Sequence, residues 1–159
     1  MAAPHQYRRL LDEIQQLTLV PEALLSPELT HLNVRGVDFS MHPVGDEDEG
    51  HVALHCDLGV LPDKRREEAL LRLLDTNFQL VSTAQTAAFC RNEHSGRMML
   101  SLAQPLANLS GQSLLNQMGA LADYATAWRQ TFFLGKQAPT SPSSTTGQLP
   151  RTASTGRAF

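Results

Sequence analysis

The sequence predicts a single α+β domain in which helices pack on a twisted antiparallel sheet. Three segments carry apolar residues at helical spacing, and two segments between them alternate apolar and polar residues as pairs of strands do. The chain has 159 residues and is 42% hydrophobic, which suffices for one buried core. The predicted order over residues 1–134 is helix, two or three strands, helix, two strands and helix (α-β-β(-β)-α-β-β-α), followed by a tail at 135–159.

The first predicted element is an amphipathic helix over residues 5–17. Polar and charged residues separate large apolar side chains that recur every three or four positions, which are Tyr7, Leu10, Leu11, Ile14 and Leu17. Pro21 and Pro27 then indicate a loop. Residues 18–32 are therefore expected to form a long connection.

An antiparallel hairpin is predicted next, because the apolar period changes to two. Residues 37–42 and 51–56 (HVALHC) each alternate apolar and polar side chains, and the stretch 43–50 (PVGDEDEG) separates them. This charged stretch is expected to be a solvated turn. The predicted register gives both strands one common apolar face and pairs Met41 with Val52, Phe39 with Leu54 and Val37 with Cys56.

A second helix is predicted to begin near Pro62 and Asp63. Proline suits the first turn of a helix, and a carboxylate suits the positive end of the helix dipole. The helix is expected to end near Asn77. Its apolar stripe consists of Ala69, Leu70, Leu71, Leu73 and Leu74.

The last predicted elements are a second hairpin and a long helix. The hairpin turn is expected within 93–96, and the return strand places three apolar residues on the face of Phe89, namely Met98, Leu100 and Leu102. The helix is expected over 110–133 with Ser110 as its N-cap. Its core-facing stripe consists of Leu114, Met118, Leu121, Ala125, Trp128 and Phe132.

Charge is distributed unevenly along the chain. Residues 1–134 carry 10 basic and 16 acidic side chains, a net charge of −6, whereas 135–159 carries +3. An acidic body argues against a nucleic-acid partner, which requires a clustered basic surface. The tail is rich in Ser, Thr and Pro and is expected to be disordered. The N-terminus resembles no signal peptide and no apolar run approaches 18 residues, so we expect a cytoplasmic protein without membrane insertion.

Histidines and cysteines cluster in HVALHC and in AFCRNEH, which raises the hypothesis of a zinc site or a reactive thiol. Neighbours in a strand point to opposite faces, so His55 and Cys56 cannot share one ion. His51 and His55 would lie about 13 Å apart at roughly 3.3 Å per residue, which is too far for two zinc ligands. We therefore expect no catalytic residue, metal or cofactor. A small hydrolase or redox enzyme using Cys56 or Cys90 is kept as an alternative.

One long segment carries a family resemblance. Residues 52–80, VALHCDLGVLPDKRREEALLRLLDTNFQL, resemble the centre of the class I type III secretion chaperones of the Tir-chaperone (CesT/SycE-like) family. The matching residues are Gly59, Leu61, Pro62, Leu73, Leu74, Asn77 and Phe78. The strand RMMLSL, the exit Pro105-Leu106 and the last helix also resemble the family, so that the likeness covers about residues 5–134.

This resemblance implies a cytoplasmic bacterial chaperone of virulence-associated secretion, not an enzyme. It would bind the N-terminal region of secreted effector proteins, keep that region extended and aid its delivery, with the secretion ATPase as a further candidate partner. The resemblance also implies a homodimer through the second helix, for which we select Leu70, Leu71 and Leu74, whereas Leu73 is expected inside the protomer.

For the effector-binding surface we select apolar residues of the first helix and both hairpins, namely Leu10, Ile14, Val37, Phe39, Phe89 and Leu100. Each of these also fits a purely structural role, because buried apolar residues are the rule. A dimeric regulatory adaptor of the secretion system, binding a folded partner, is the main alternative function.

Overall fold

The computed structural model describes residues 5–46, 50–81 and 86–135. The centre of the acidic stretch and the predicted disordered tail, apart from Gly135, lie outside these residues. The elements in chain order are α1 (His5–Leu17), a 3₁₀ turn (Glu22–Leu24), β1 (Thr30–Val34), β2 (Val37–Val44), β3 (His51–Gly59), α2 (Arg66–Leu80), β4 (Thr86–Arg91), β5 (Met98–Pro105) and α3 (Gly111–Thr131).

The strands form one antiparallel sheet in the order β1-β2-β3-β5-β4. The predicted α+β fold is confirmed, and β1 is the third strand that the sequence left open. β1 and β2 are joined by Arg35 and Gly36, which both have positive φ (52° and 80°). A two-residue turn of this kind matches the twist of the strands that it connects.

The hydrophobic core lies between one face of the sheet and the helices α1 and α3. Its largest fully buried side chains include Trp128 of α3 and Tyr7 of α1. The Tyr7 hydroxyl donates to the Met41 carbonyl oxygen and lies 3.2 Å from Thr30 Oγ1. This hydroxyl is thereby satisfied inside the core, and burial raises its pKa.

The two core helices meet closely at the start of α3. Ser110 caps α3, as predicted, by accepting a hydrogen bond from the Ser113 amide. The Gly111 amide donates to Glu13 Oε2 of α1 at 2.6 Å. A Cβ on Gly111 would lie 2.8 Å from Glu13 Cβ, so only glycine permits this approach. The negatively charged Glu13 carboxylate also lies at the start of α3, where its attraction to the positive end of the helix dipole is stabilising.

The first predicted hairpin exists as β2 and β3, but its predicted register is wrong by two residues. The observed partners are Phe39 with Cys56, Met41 with Leu54 and Pro43 with Val52. β2 extends to Val44 and so two residues further into the acidic stretch than the alternation indicated, which shortens the loop, whereas β3 begins at His51 as predicted and extends at its other end to Gly59. A shift of two residues leaves each side chain on its predicted face. Proline is tolerated at position 43 because the pairing of β2 with β1 ends at Met41. On that side of β2, no strand therefore needs the backbone N–H that Pro43 lacks.

The second helix begins later than predicted. Pro62 and Asp63 precede α2, which starts at Arg66 after a left-handed residue, Arg65 (φ 57°). Leu61 is buried, so the chain first turns inward to anchor this side chain and only then becomes helical. The helix also continues past Asn77 to Leu80.

The second hairpin and the last helix agree with the sequence. Phe89 faces Leu100 and Ala87 faces Leu102, with the turn between Arg91 and Met98. Within the described part of the chain, none of the helices combines the length and hydropathy needed to cross a bilayer.

Candidate functional site and interaction surfaces

Among the residues that the structure describes, β1 forms one edge of the sheet and pairs on one side only, with β2. The two-residue turn makes Val34 and Val37 a hydrogen-bonded pair, and such pairs alternate along an antiparallel ladder. The residues between them, His31 and Asn33, therefore direct their backbone N–H and C=O groups away from β2. Their side chains are exposed, whereas Leu32 is buried in the core. This edge offers backbone groups in the arrangement that an added strand requires.

The opposite edge, formed by β4, is partly closed by one side chain of α2. Asn77 donates from Nδ2 to the Phe89 carbonyl oxygen at 3.0 Å, and its Oδ1 accepts from the Phe89 amide at 2.6 Å. The Asn77 side chain thus makes the two backbone hydrogen bonds that a residue of a neighbouring strand would make with Phe89. Asn77 carried the resemblance in the sequence, but its role follows only from the tertiary fold.

The helix α2 presents an exposed apolar face. The three predicted dimer residues, Leu70, Leu71 and Leu74, are 37%, 51% and 53% exposed, and Leu73 is buried as expected. Phe78 and Val81 extend this face and are 84% and 83% exposed. We call the exposed set the α2 face, and it consists of Leu70, Leu71, Leu74, Phe78 and Val81. The sequence prediction missed its last two members because it ended the helix near Asn77.

Four further exposed leucines lie at the end of α1 and in the connection to β1. The apolar spacing placed Leu17 in the stripe of the first helix, and the connection was predicted to be a loop. We call these leucines the leucine surface, which consists of Leu17, Leu19, Leu24 and Leu29, each at least 45% exposed. A cleft of about 230 Å³ opens between α1 and the segment that contains the 3₁₀ turn. The cleft is lined by Arg8, Leu11, Asp12, Gln15, Glu22, Leu25 and Pro27. The 3₁₀ turn, which contains Leu24 and lines the cleft through Glu22, contacts β1.

The structure buries all six residues that were predicted to contact an effector. Their side chains are at most 7% exposed and belong to the hydrophobic core. These residues are Leu10, Ile14, Val37, Phe39, Phe89 and Leu100. Within the protomer, these side chains pack in the core beneath the surface. Their direct contact with an effector stays a prediction.

The junction between β3 and α2 is fixed by a guanidinium group. The pairing of β3 with β5 is irregular between Asp57 and Gly59, and Arg129 donates to the carbonyl oxygens of Asp57 and Leu58, each at 2.8 Å. The Asp57 carboxylate accepts from Arg97 at 2.7 Å. The Arg129 bonds satisfy backbone carbonyl groups that have no partner in β5 because of the bulge. They also fix the direction in which the chain leaves β3 toward α2.

The cysteines and histidines that suggested chemistry lie in separate environments. Cys56 is in the core, 3.9 Å from the Leu121 carbonyl oxygen, and burial raises the pKa of its thiol to about 12. Its thiolate is therefore strongly disfavoured at neutral pH, which does not support a nucleophile there. Cys90 is exposed on β4, and His94 lies in the following turn. Among the described residues, no three His, Cys, Asp or Glu side chains lie close enough to share a metal ion.

Comparison with protein-family models gives one match over most of the chain. Residues 10–129 match the model of the Tir chaperone protein (CesT) family. This range begins within α1 and ends within α3, so it includes the whole sheet and α2. No match was found among the curated proteins.

Two solved structures share the fold. A chain of "Crystal Structure of the ExsC-ExsE Complex" is 16% identical, with a TM-score of 0.57, and the match covers 79% of this chain and 92% of that one. A chain of "Structure of the HopA1-SchA Chaperone-Effector Complex" is 19% identical, with a TM-score of 0.59, and covers 79% and 94%. Each alignment spans nearly the whole of the matched structure.

Proposed function

The chain belongs to the Tir chaperone protein (CesT) family, and from this premise we propose that it is a type III secretion chaperone. It binds the N-terminal region of one or more effector proteins in the bacterial cytoplasm, keeps that region extended and aids its delivery to the secretion apparatus. The work is done by binding surfaces and needs no reaction of the chaperone's own side chains. The similar HopA1-SchA structure is a chaperone–effector complex, which supports this class of partner.

The observation that carries the proposal is the open edge at β1. An extended effector segment can pair with the backbone groups of His31 and Asn33, because these point away from β2. Main-chain hydrogen bonds give affinity with little demand on sequence, which suits a protein that must hold an unfolded segment. The closure of the β4 edge by Asn77 directs such pairing to β1.

The leucine surface and its cleft provide the side-chain contacts in this proposal. The 3₁₀ turn, which carries Leu24 and part of the cleft lining, contacts β1, so in this proposal an effector segment that leaves the added strand continues onto them. Exposed leucines gain roughly 25 cal/mol for each Å² of apolar surface that an effector covers. The buried residues that the sequence suggested as contacts, such as Leu10 and Phe39, support the backbone that shapes this region.

The proposed chaperone is a homodimer through the α2 face. Leu71, Leu74, Phe78 and Val81 recur at intervals of three, four and three, so they form one stripe on the side of α2 opposite the buried Ala69 and Leu73. A contiguous apolar stripe on a surface helix is typical of a subunit interface. A second copy can cover it by the same stripe about a two-fold axis.

Purification of the tagged chain from its native cell, with mass spectrometry of the bound proteins, tests the function. We expect secreted effectors, and we expect that deleting the N-terminal segment of such an effector abolishes binding. A matched deletion at the effector's C-terminus is the control and should leave binding intact. Binding of a folded protein that survives the N-terminal deletion would contradict the proposal and support the adaptor hypothesis.

A further inference from the structure

Four side chains form a connected row across the sheet face that turns away from the core. They come from four different strands and are Cys90 of β4, Ser101 of β5, His55 of β3 and His42 of β2. Cys90 Sγ lies 3.2 Å from Ser101 Oγ, and Ser101 Oγ lies 2.7 Å from His55 Nδ1. The His55 ring stacks on the His42 ring at 5.4 Å between centroids. A thiol, a hydroxyl and an imidazole are therefore joined by two consecutive hydrogen bonds.

The numbers of donors and acceptors on these groups determine the direction in which a proton can move along the row. A serine hydroxyl has one proton, so if it donates to His55 Nδ1 it can accept the proton of the Cys90 thiol. This arrangement requires a neutral imidazole with a free Nδ1. Burial and the neighbouring His42 both lower the pKa of His55, which keeps it neutral at pH 7. The imidazole is therefore available as a proton acceptor for the thiol, through the hydroxyl.

The charged side chains near the row bond to other groups or lie on the other face of the sheet, and they do not compete for the hydrogen bonds between Cys90, Ser101 and His55. Asp57 lies two residues beyond His55 on β3 and is paired with Arg97 at 2.7 Å. Asp38 on β2 accepts from Asn33 at 2.7 Å. Arg91 follows Cys90 in β4 and faces Met98 on the core side of the pairing. The two carboxylates have their own partners, so Ser101 remains the group that connects His55 with Cys90.

The two cysteines of the chain therefore differ in chemistry. Cys56 is fully buried and hydrogen-bonded only weakly, at 3.9 Å, to a backbone carbonyl oxygen. Cys90 is exposed and has both a hydroxyl and, behind it, a base. An exposed thiol with a route for its proton is the kind that exchanges with disulfides, since the thiolate is the attacking species.

We propose that Cys90 is a site of reversible thiol–disulfide exchange with low-molecular-weight disulfides, assisted by Ser101 and His55. The thiol proton passes to Ser101 as the Ser101 proton passes to His55 Nδ1. The Cys90 sulfur attacks one sulfur of the disulfide, the old S–S bond breaks and a mixed disulfide forms. The leaving thiolate takes up a proton, and a small thiol reverses the reaction. Cys90 is oxidised, and the released half of the disulfide is reduced.

The test follows the reaction of the full chain with oxidised glutathione by intact-protein mass spectrometry at pH 7. We expect a single adduct, which Cys90→Ser abolishes and Cys56→Ser leaves in place. Ser101→Ala removes the link to His55 and should slow adduct formation about tenfold; the effect is limited because a few per cent of an ordinary thiol is already thiolate at pH 7. Ser101→Thr keeps the hydroxyl in a residue suited to strands and should react within about twofold of the unmodified chain.

The pH dependence separates this assistance from a merely structural role of Ser101. Burial holds the pKa of His55 below the ordinary histidine value, so the ratio of the rates of the unmodified chain and Ser101→Ala should persist through mildly acidic pH. It should fall toward one only at the lower pH where His55 becomes protonated and no longer accepts the proton. Circular dichroism of each variant establishes that the fold is kept. Adduct formation at Cys56, the absence of any adduct, or equal rates for Ser101→Ala and Ser101→Thr at pH 7 would overturn the proposal.

Discussion

The side-chain amide of Asn77 acts as a substitute for a peptide group of a neighbouring strand. It donates to and accepts from the same residue of β4, Phe89, as a paired strand residue would. The Phe89 side chain is buried, so the hydrogen bonds to its backbone stabilise both the position of the edge strand and the packing of a core residue. A single residue of α2 thereby joins the helix to the strand that follows it.

Replacement of Asn77 by alanine should destabilise the protein by about 1–3 kcal/mol, because the amide and carbonyl group of Phe89 lose their partners. Urea denaturation measures this loss. The matched control is Thr76→Ala on the same helix, where the exposed hydroxyl bonds only to its own helix at the Arg72 carbonyl oxygen. The control should change stability by no more than about 0.5 kcal/mol. Equal effects of the two changes would show that the Asn77 bonds contribute nothing specific.

Single residues also show the limits of sequence reasoning. The alternation in HVALHC placed Cys56 on the apolar face, and the structure buries it among core side chains. The link from Cys90 through Ser101 to His55 was out of reach, because it joins three strands whose order in the sheet is not chain order. A local pattern indicates the face on which a residue lies, but it does not identify the neighbour across the sheet.

At the scale of elements, the two edges of the sheet have different roles. The β4 edge is adjoined by α2, whereas β1 ends the sheet on the other side. The sequence contained a signal for β1, since Thr30, Leu32 and Val34 alternate with polar residues before Arg35-Gly36. This signal is only five residues long and follows two prolines, so the loop assignment prevailed. The register error in β2 and β3 has the same origin, because alternation fixes the face but leaves shifts of two residues open.

A single substitution on β1 should separate strand addition from stability. His31→Pro removes the outward N–H but fits an edge strand, so the fold should persist while effector binding weakens at least about tenfold. His31→Ala keeps the N–H and should bind within about twofold of the unmodified chain. Titration of both variants with a purified effector segment measures the difference. Equal affinities for the proline and alanine variants would mean that the segment does not pair with this edge.

At the scale of the whole molecule, most of the large exposed apolar residues belong to two segments of the chain. The α2 face lies on the helix that contacts β4, and the leucine surface lies in the segment that leads into β1, at the other end of the strand order. In the proposed dimer, this separation would let the α2 face join two copies while the leucine surface stays open to an effector. The fold and the family could be predicted from the sequence. The leucine surface could not, because the periodic pattern placed Leu17 with the core residues of α1, and the leucines of the connection carry no periodic signal.

Light scattering of the purified chain should give twice the mass of one 17.5 kDa protomer at micromolar concentration. Leu74→Glu places a charge in the α2 face and should give the mass of one protomer, because the charge would be buried in the interface. Leu24→Glu makes the same change on the leucine surface and should leave the dimer intact. A protomer mass for the unmodified chain across this concentration range would refute the dimer.

The contact between Glu13 and Gly111 joins positions 98 residues apart. A ribosome that has released α1 has therefore yet to synthesise the helix that covers it. While the whole sheet is being made, the apolar stripe of α1 has no α3 to pack against, and the core closes only when the last helix emerges. During most of its own translation, this protein is therefore a chain whose apolar helix α1 lacks the covering that α3 later provides.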